Sequence, residues 1–207
     1  MPRLPSLNQS ADAPYPPHHA SSEKCKPSAY IHAGGLGSNC AAHLVRAGLK
    51  RLVIADFDVV SPSNLNRQFF FRDQLGLKKV DALSENLRRI EPDLDLVLHD
   101  VRLTPVNARP TFENCQIIVE ALDSADAKSM LLGALLPLGK PIVSASGLAG
   151  WGRSRTIGQR RIGKNLILIG DTTSDIRNGL APVSPRVGIA AAMEANAVVA
   201  LLLDKEL

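Results

Sequence analysis

Hydrophobic positions along this chain follow two alternating patterns: short unbroken runs, and stripes that recur every third or fourth residue. Mostly apolar runs at 52–55, 117–121 and 141–145 read as buried strands, and 94–98 is a further strand candidate. Residues 29–31 give a meagre first strand. Stripes at Cys40, Ala41, Leu44 and Val45, and at Val80, Leu83, Leu87 and Ile90, read as helices with one inward face. Gly48 and Pro92 end them, and Ser38 is a fair start for the first. A helix is predicted over 125–138 and a weaker one over 105–114. Strands alternating with helices at this spacing predict parallel βαβ units. The fold class is therefore α/β, with a Rossmann-like, doubly wound, mostly parallel sheet. In such sheets a ligand binds beyond the carboxyl ends of the strands, near the point where strand order reverses.

The later part departs from that repeat. Residues 147–152 hold three glycines around Trp151 and read as a flexible crossing. Two peripheral antiparallel strands are predicted near 155–159 and 166–169, and 177–185 reads as an exposed loop. Residues 187–203 form an apolar helix interrupted by Glu194 and Asn196. It is marginal in length for a membrane span and carries a charge mid-run, so a buried helix or a homodimer interface is expected instead.

Composition narrows the class. With 207 residues and 45% hydrophobic content, the chain has room for one well-filled domain, placed at 29–207. A net charge of +4 suits an anionic ligand, while 4% aromatics are too few to stack single-stranded nucleic acid. No nucleic-acid or membrane partner is expected. Cys25, Cys40 and Cys115 form no Cys-x-x-Cys pair, which argues against zinc or a disulfide framework and for a reducing cytoplasm. Residues 1–28, rich in Pro, Ser, Ala and His, read as a disordered or atypical tail without a signal-peptide core.

The chemistry gathers around one stretch. Asp56 ends the 52–55 run, about 20 residues after the glycine turn at Gly34, Gly35 and Gly37, the spacing at which an acid holds ribose hydroxyls. A polar loop follows, carrying Asn64, Asn66 and Arg67, and Lys79 opens the next helix. Asp123 ends the 117–121 run. Gly34, Asp56 and Asp123 thus fall at strand carboxyl ends on one sheet edge. Asp58 reads equally as a loop tie or a ligand contact. Asn64 and Asn66 read as turn residues or nucleotide contacts, and the basic run from Arg153 as a solvated face or a seat for a carrier tail.

In order, Gly34-Gly35-Leu36-Gly37-Ser38-Asn39, Asp56-Phe57-Asp58, Ser63-Asn64-Leu65-Asn66-Arg67-Gln68, Gly76-Leu77-Lys78-Lys79-Val80 and Leu122-Asp123 resemble the ThiF/MoeB group of ubiquitin-activating-type adenylyltransferases. The stretches 145–152 and 185–192 look most like the short, zinc-free ThiS adenylyltransferases. The resemblance implies an enzyme that uses ATP and Mg²⁺ to adenylate the C-terminal Gly-Gly carboxylate of a small ubiquitin-like sulfur carrier, releasing pyrophosphate, in thiamine thiazole formation. It implies that Gly34, Gly35, Gly37, Asp56, Asn64, Arg67 and Lys79 contact ATP, that Asp123 holds Mg²⁺, and that Arg67, Lys79 and Asp123 are catalytic. Arg67 offers a planar fork for phosphate oxygens and Lys79 a mobile point charge.

Two departures stand out. His32 occupies a position where the family's turn has glycine, and its Cβ is expected to strain the turn and weaken ATP binding. No cysteine follows Cys115, so adenylation alone is expected, without later thioester chemistry. A nicotinamide-dependent oxidoreductase on the same fold would explain the glycine turn and Asp56, but not Arg67, Lys79 and Asp123. A nucleotide-binding relative without catalysis is the third reading.

Overall fold

The computed structural model describes residues 29–174 and 179–205. The tail expected over 1–28, with Arg3, His18, His19 and Cys25, lies outside the described residues, as does part of the loop expected over 177–185. Strand β1 (Ala29–Ile31) pairs in parallel with both β2 (Arg51–Ala55) and β4 (Ile117–Glu120), which puts it mid-sheet. Beyond β2 lies β3 (Asp95–His99), and beyond β4 lie β5 (Ile142–Ala145) and then β7 (Leu166–Gly170), all parallel. Strand β6 (Gly158–Ile162) closes the far edge antiparallel to β7. The order β3-β2-β1-β4-β5-β7-β6 reverses direction between β1 and β4, which fixes the ligand crevice there.

This corrects the expectation of two antiparallel outer strands. Only β6 is antiparallel; β7 extends the parallel sheet, and residues 154–156 form a short 3₁₀ turn where a strand was expected. The reason lies in composition. Leu166, Ile167, Leu168 and Ile169 make a continuous apolar run suited to a strand covered on both faces, whereas Arg160 and Arg161 suit an open edge.

Helices cover both faces of the sheet. On one, α1 (Gly35–Arg46), α2 (Lys79–Arg88) and α5 (Ser184–Leu202) bury Leu44, Leu83, Leu87, Ala190 and Val198 against Leu52 and Ile54. On the other, α3 (Pro105–Phe112) and α4 (Ala125–Leu135) bury Phe112, Leu131 and Leu135 against Ile118 and Ile142. Each of the larger side chains contributes roughly 1.5–3 kcal/mol on burial. Helix α5 packs along α1. Its length and apolarity would suffice to cross a membrane, yet one face is buried inside the domain through Val187, Ala190, Glu194 and Val198, as a core helix requires.

Helix α1 begins at Gly35, three residues before the expected Ser38 start. Ser38 is fully buried, and its hydroxyl accepts the Phe69 N–H at 3.0 Å, so it ties the helix to the loop after β2 and does not cap it. At the far end of the sheet, β5 and β7 converge so closely that a Cβ on Gly170 would lie 1.7 Å from the Ser146 carbonyl oxygen. With φ at +132°, this position accepts glycine alone.

Candidate active site

The carboxyl ends of β1, β2 and β4 present three features to one crevice: the start of α1, the loop 56–79 and Asp123. By helix geometry the first-turn amides of α1 have no partner within the helix, so they face the crevice with a positive dipole end. Gly34 precedes them at φ −75°, ψ −164°, an extended conformation. The first glycine of the helix lies under the arginine predicted to bind phosphate. A Cβ on Gly35 would meet Arg67 Cγ and Val187 Cγ1, each at 3.5 Å.

Arg67 is positioned by its backbone. The Asn39 side-chain amide donates to the Gly35 carbonyl at 2.6 Å and to the Arg67 carbonyl at 2.8 Å, clasping α1 to the loop. Two residues on, the Phe69 carbonyl accepts from the Asn86 amide of α2 at 2.8 Å, while its N–H is held by Ser38. Among the described residues the guanidinium tip is bonded to its own loop alone, donating through Nη1 to the Ser63 carbonyl at 3.0 Å and to Asn66 Oδ1 at 2.8 Å. Both contacts are neutral and partly exposed, so a phosphate can exchange with them readily. Asn64, a candidate nucleotide contact, spends its side-chain oxygen on the Ser61 N–H at 2.9 Å and so shapes the loop.

Lys79 differs from the solvated lysine usual at a helix start. It is 4% exposed, and its ammonium pairs with Asp58 at 2.8 Å. Asp58 is thereby assigned as a loop tie: its carbonyl also accepts the Lys79 N–H at 2.9 Å. Asp56 is 1% exposed. One of its oxygens accepts the Asp58 N–H at 2.9 Å, and the other lies 3.3 Å from His32 Nε2. Backbone strain at His32 is absent: the described non-glycine residues with positive φ are Arg153, Thr172 and Asp204. The turn has taken an ordinary geometry, and histidine acts there through its ring.

Asp123 is exposed just beyond β4. Its approach is organised by Glu120, a residue that sequence reasoning passed over. The Glu120 carboxylate is fully buried, accepts the Leu122 N–H at 2.7 Å and the Ser144 hydroxyl at 2.6 Å, and pairs with Lys128 at 2.9 Å. A lone acid inside an apolar strand run was the signal available for it. Arg186, at the start of α5, was also passed over. It is 2% exposed, pairs with Asp171 at 2.7 Å and donates to the Gly152 carbonyl at 2.7 Å, so it binds the 147–153 crossing to the end of β7. Burial pushes the Asp171 carboxyl up, but the amides of Ser174 and Thr173, the Ser174 hydroxyl and Arg186 together hold it below its usual range. Both described cysteines are buried, as expected of small core residues. Burial raises the Cys115 thiol to about 11, and Cys40 is raised well above its ordinary value by burial and by Glu194.

Comparison with known proteins places this architecture. The family model described as "ThiF family" matches residues 30–207. The adenylyltransferase and sulfurtransferase MOCS3 of Aedes aegypti is 37% identical over 119 residues, 57% of this chain and 27% of its own length. The adenylyltransferase and sulfurtransferase uba4 of Aspergillus terreus is 37% identical over 136 residues, 65% of this chain and 27% of its own length. The chain thus spans about a quarter of the length of these curated relatives. Among solved structures, E. coli tRNA N6-threonylcarbamoyladenosine dehydratase, TcdA, in complex with AMP superposes with a TM-score of 0.72 at 21% identity, covering 84% of this chain and 87% of that one. E. coli MccB with AMPCPP and MccA gives 0.68 at 16% identity, covering 86% and 55%. At these identities the likeness establishes the shared fold.

Proposed function

This chain belongs to the ThiF family, and from that premise we propose that it is an ATP-dependent adenylyltransferase acting on a terminal carboxylate of a small protein partner. The observation that carries the reading is the passage of Arg67 directly over Gly35 at the switch point of the sheet. A carboxylate attacking the α-phosphorus of ATP brings an anion to a polyanion, so catalysis consists of positioning and charge neutralisation. Arg67 supplies a bidentate fork, the α1 amides a fixed dipole, and Lys79 a buried cation that Asp58 holds in place. Asp56 sits where ribose hydroxyls would be accepted.

The residues fit ATP: a Cβ at Gly35 would already touch the Arg67 side chain at van der Waals distance, so arginine and helix start share one phosphate-sized cradle, and the first-turn amides have no partner within the helix. Asp123, an exposed carboxylate just beyond β4, is the residue that would hold Mg²⁺. Mg²⁺ usually takes one or two carboxylates and completes its shell with water and phosphate. When bound, it would offset phosphate charge.

The narrower reading gives the acceptor as the Gly-Gly terminus of a ubiquitin-like sulfur carrier and the setting as thiazole formation in the cytoplasm. It is supported by the resemblance of 145–152 and 185–192 to ThiS adenylyltransferases. A homodimer is part of the same proposal, joined through the exposed side of α5 and the strands beside it.

Isotope exchange between ATP and pyrophosphate tests the reading. With a Gly-Gly-ended carrier the chain is expected to support exchange that needs both carrier and Mg²⁺, and Asp123→Asn to require more Mg²⁺. Absence of exchange together with tight NADH binding would replace the adenylyltransferase by an oxidoreductase.

A further inference from the structure

We propose that His32 is a specificity-determining residue that covers the ribose acceptor, so that this chain reads the phosphates of a nucleotide well and its sugar poorly. The proposal rests on the nucleotide reading above. Asp56 occupies the position at which a doubly wound fold takes ribose hydroxyls, at the carboxyl end of the strand after the glycine turn. For that purpose an oxygen must be reachable, and here the carboxylate is sealed. Asp56 is 1% exposed, its Oδ1 is taken by the Asp58 N–H at 2.9 Å, and its Oδ2 faces the His32 ring at 3.3 Å.

The ring is wedged rather than anchored. Its Nδ1 is buried without a hydrogen-bond partner and lies 3.3 Å from where a Cβ of Gly34 would be. The contact to Asp56 is close enough for ion pairing yet leaves Oδ2 without an aligned donor. Two buried polar atoms, His32 Nδ1 and Asp56 Oδ2, therefore lack a hydrogen-bond partner among the described residues, and a ribose hydroxyl would satisfy Oδ2 if the ring turned aside. The backbone at His32 is outside the left-handed region, so the ring alone has to move.

Two binding modes follow. With the ring in place, ATP binds through phosphate contacts and leaves its sugar unread. With the ring displaced, it gains hydrogen bonds to Asp56 but gives up the covered arrangement. With the ring in place the sugar goes unread, so removing its hydroxyls should matter little to the natural chain. The measurement is calorimetric titration with MgATP and with the Mg²⁺ complex of 2′,3′-dideoxy-ATP. The unaltered chain is expected to bind the two within about threefold of each other. His32→Gly and, as a milder change, His32→Ala are expected to bind ATP more tightly and to prefer it over the dideoxy form by about tenfold or more.

A preference of about tenfold or more in the unaltered chain would overturn the inference while leaving the adenylyltransferase reading intact, and this arm requires no variant to fold. Folded variants that gain neither affinity nor preference would overturn it equally. If neither nucleotide binds to any form, and pyrophosphate exchange is absent too, the nucleotide site itself falls and the inference with it.

Discussion

Arg67 is held at its backbone by Asn39 and at its tip by its own loop. That combination gives a residue whose loss should be felt in chemistry and hardly in folding. Arg67→Ala is expected to lower carrier-dependent pyrophosphate exchange by roughly 10²–10³, the scale for one preorganised donor, with thermal unfolding unchanged. A parallel fall in melting temperature would mean that the arginine holds the loop instead. Residues of this kind were legible in the sequence because spacing along the chain fixes them: Asp56 follows the glycine turn at the nucleotide interval, and Arg67 closes a specific motif. Others were not. Glu120 meets Ser144 across 24 positions and Arg186 meets Asp171 across 15, pairings that only tertiary folding creates. His32 was visible as an oddity, but the sequence pointed to its backbone, and the effect lies in its ring.

At the scale of elements, α5 carries an anomaly into the core. Glu194 is fully buried and both its oxygens lack a hydrogen-bond partner. Burial drives its carboxyl well above the ordinary value of 4.5; Lys128 on α4 opposes the shift and Glu120 on β4 adds to it, while the Cys40 thiol faces it from α1. The folded chain therefore keeps a proton that the unfolded chain releases above 4.5, and stability falls as pH rises from there. The slope is at most about 1.4 kcal/mol per pH unit, until the raised value is passed. Glu194→Gln, neutral throughout, is expected to melt close to the natural chain near the ordinary carboxylate value and increasingly above it toward neutral pH. A difference in melting temperature that stays constant with pH would show that Glu194 is ionised in the fold. The periodicity of α5 was plain from its sequence, but an acid on its inward face looked like an interruption of the apolar run. The helix period assigns it to the core once Val187, Ala190, Ala191 and Val198 are seen to face the same way.

For the molecule as a whole, the sheet was legible wherever apolar runs alternate with helical stripes, because parallel strands need crossover helices and those crossovers take one hand. The region after β5 was harder, since β6 and β7 follow each other without a helix and no local signal tells which of them joins the main sheet. That region also leaves apolar surface uncovered: Trp151 is 71% exposed, and Leu180, beside Gly150, is 37% exposed. Trp151 is the sole tryptophan of the chain, which makes it a reporter on the proposed dimer. Light scattering is expected to give twice the monomer mass at micromolar concentration, and Trp151 emission to shift to the blue as association proceeds. A monomer with concentration-independent emission would remove the dimer from the proposal.

Among the described residues strand β6 has one neighbour, which leaves the hydrogen-bonding groups along its outer side unpaired by the sheet. Such an edge is a template onto which a stray extended chain can add itself. What guards it is charge: Arg160 and Arg161 lie on the strand, with Arg153, Arg155 and Lys164 at its approaches. That guard acts through solvent and weakens as ions crowd in, with a reach of about 10 Å at 0.1 M ionic strength and about 3 Å at 1 M. Concentrated salt, the customary remedy when a basic protein clings to columns or debris, thus strips this one of its colloidal protection. Association through this edge is therefore expected to rise with ionic strength, which light scattering across a salt series would record.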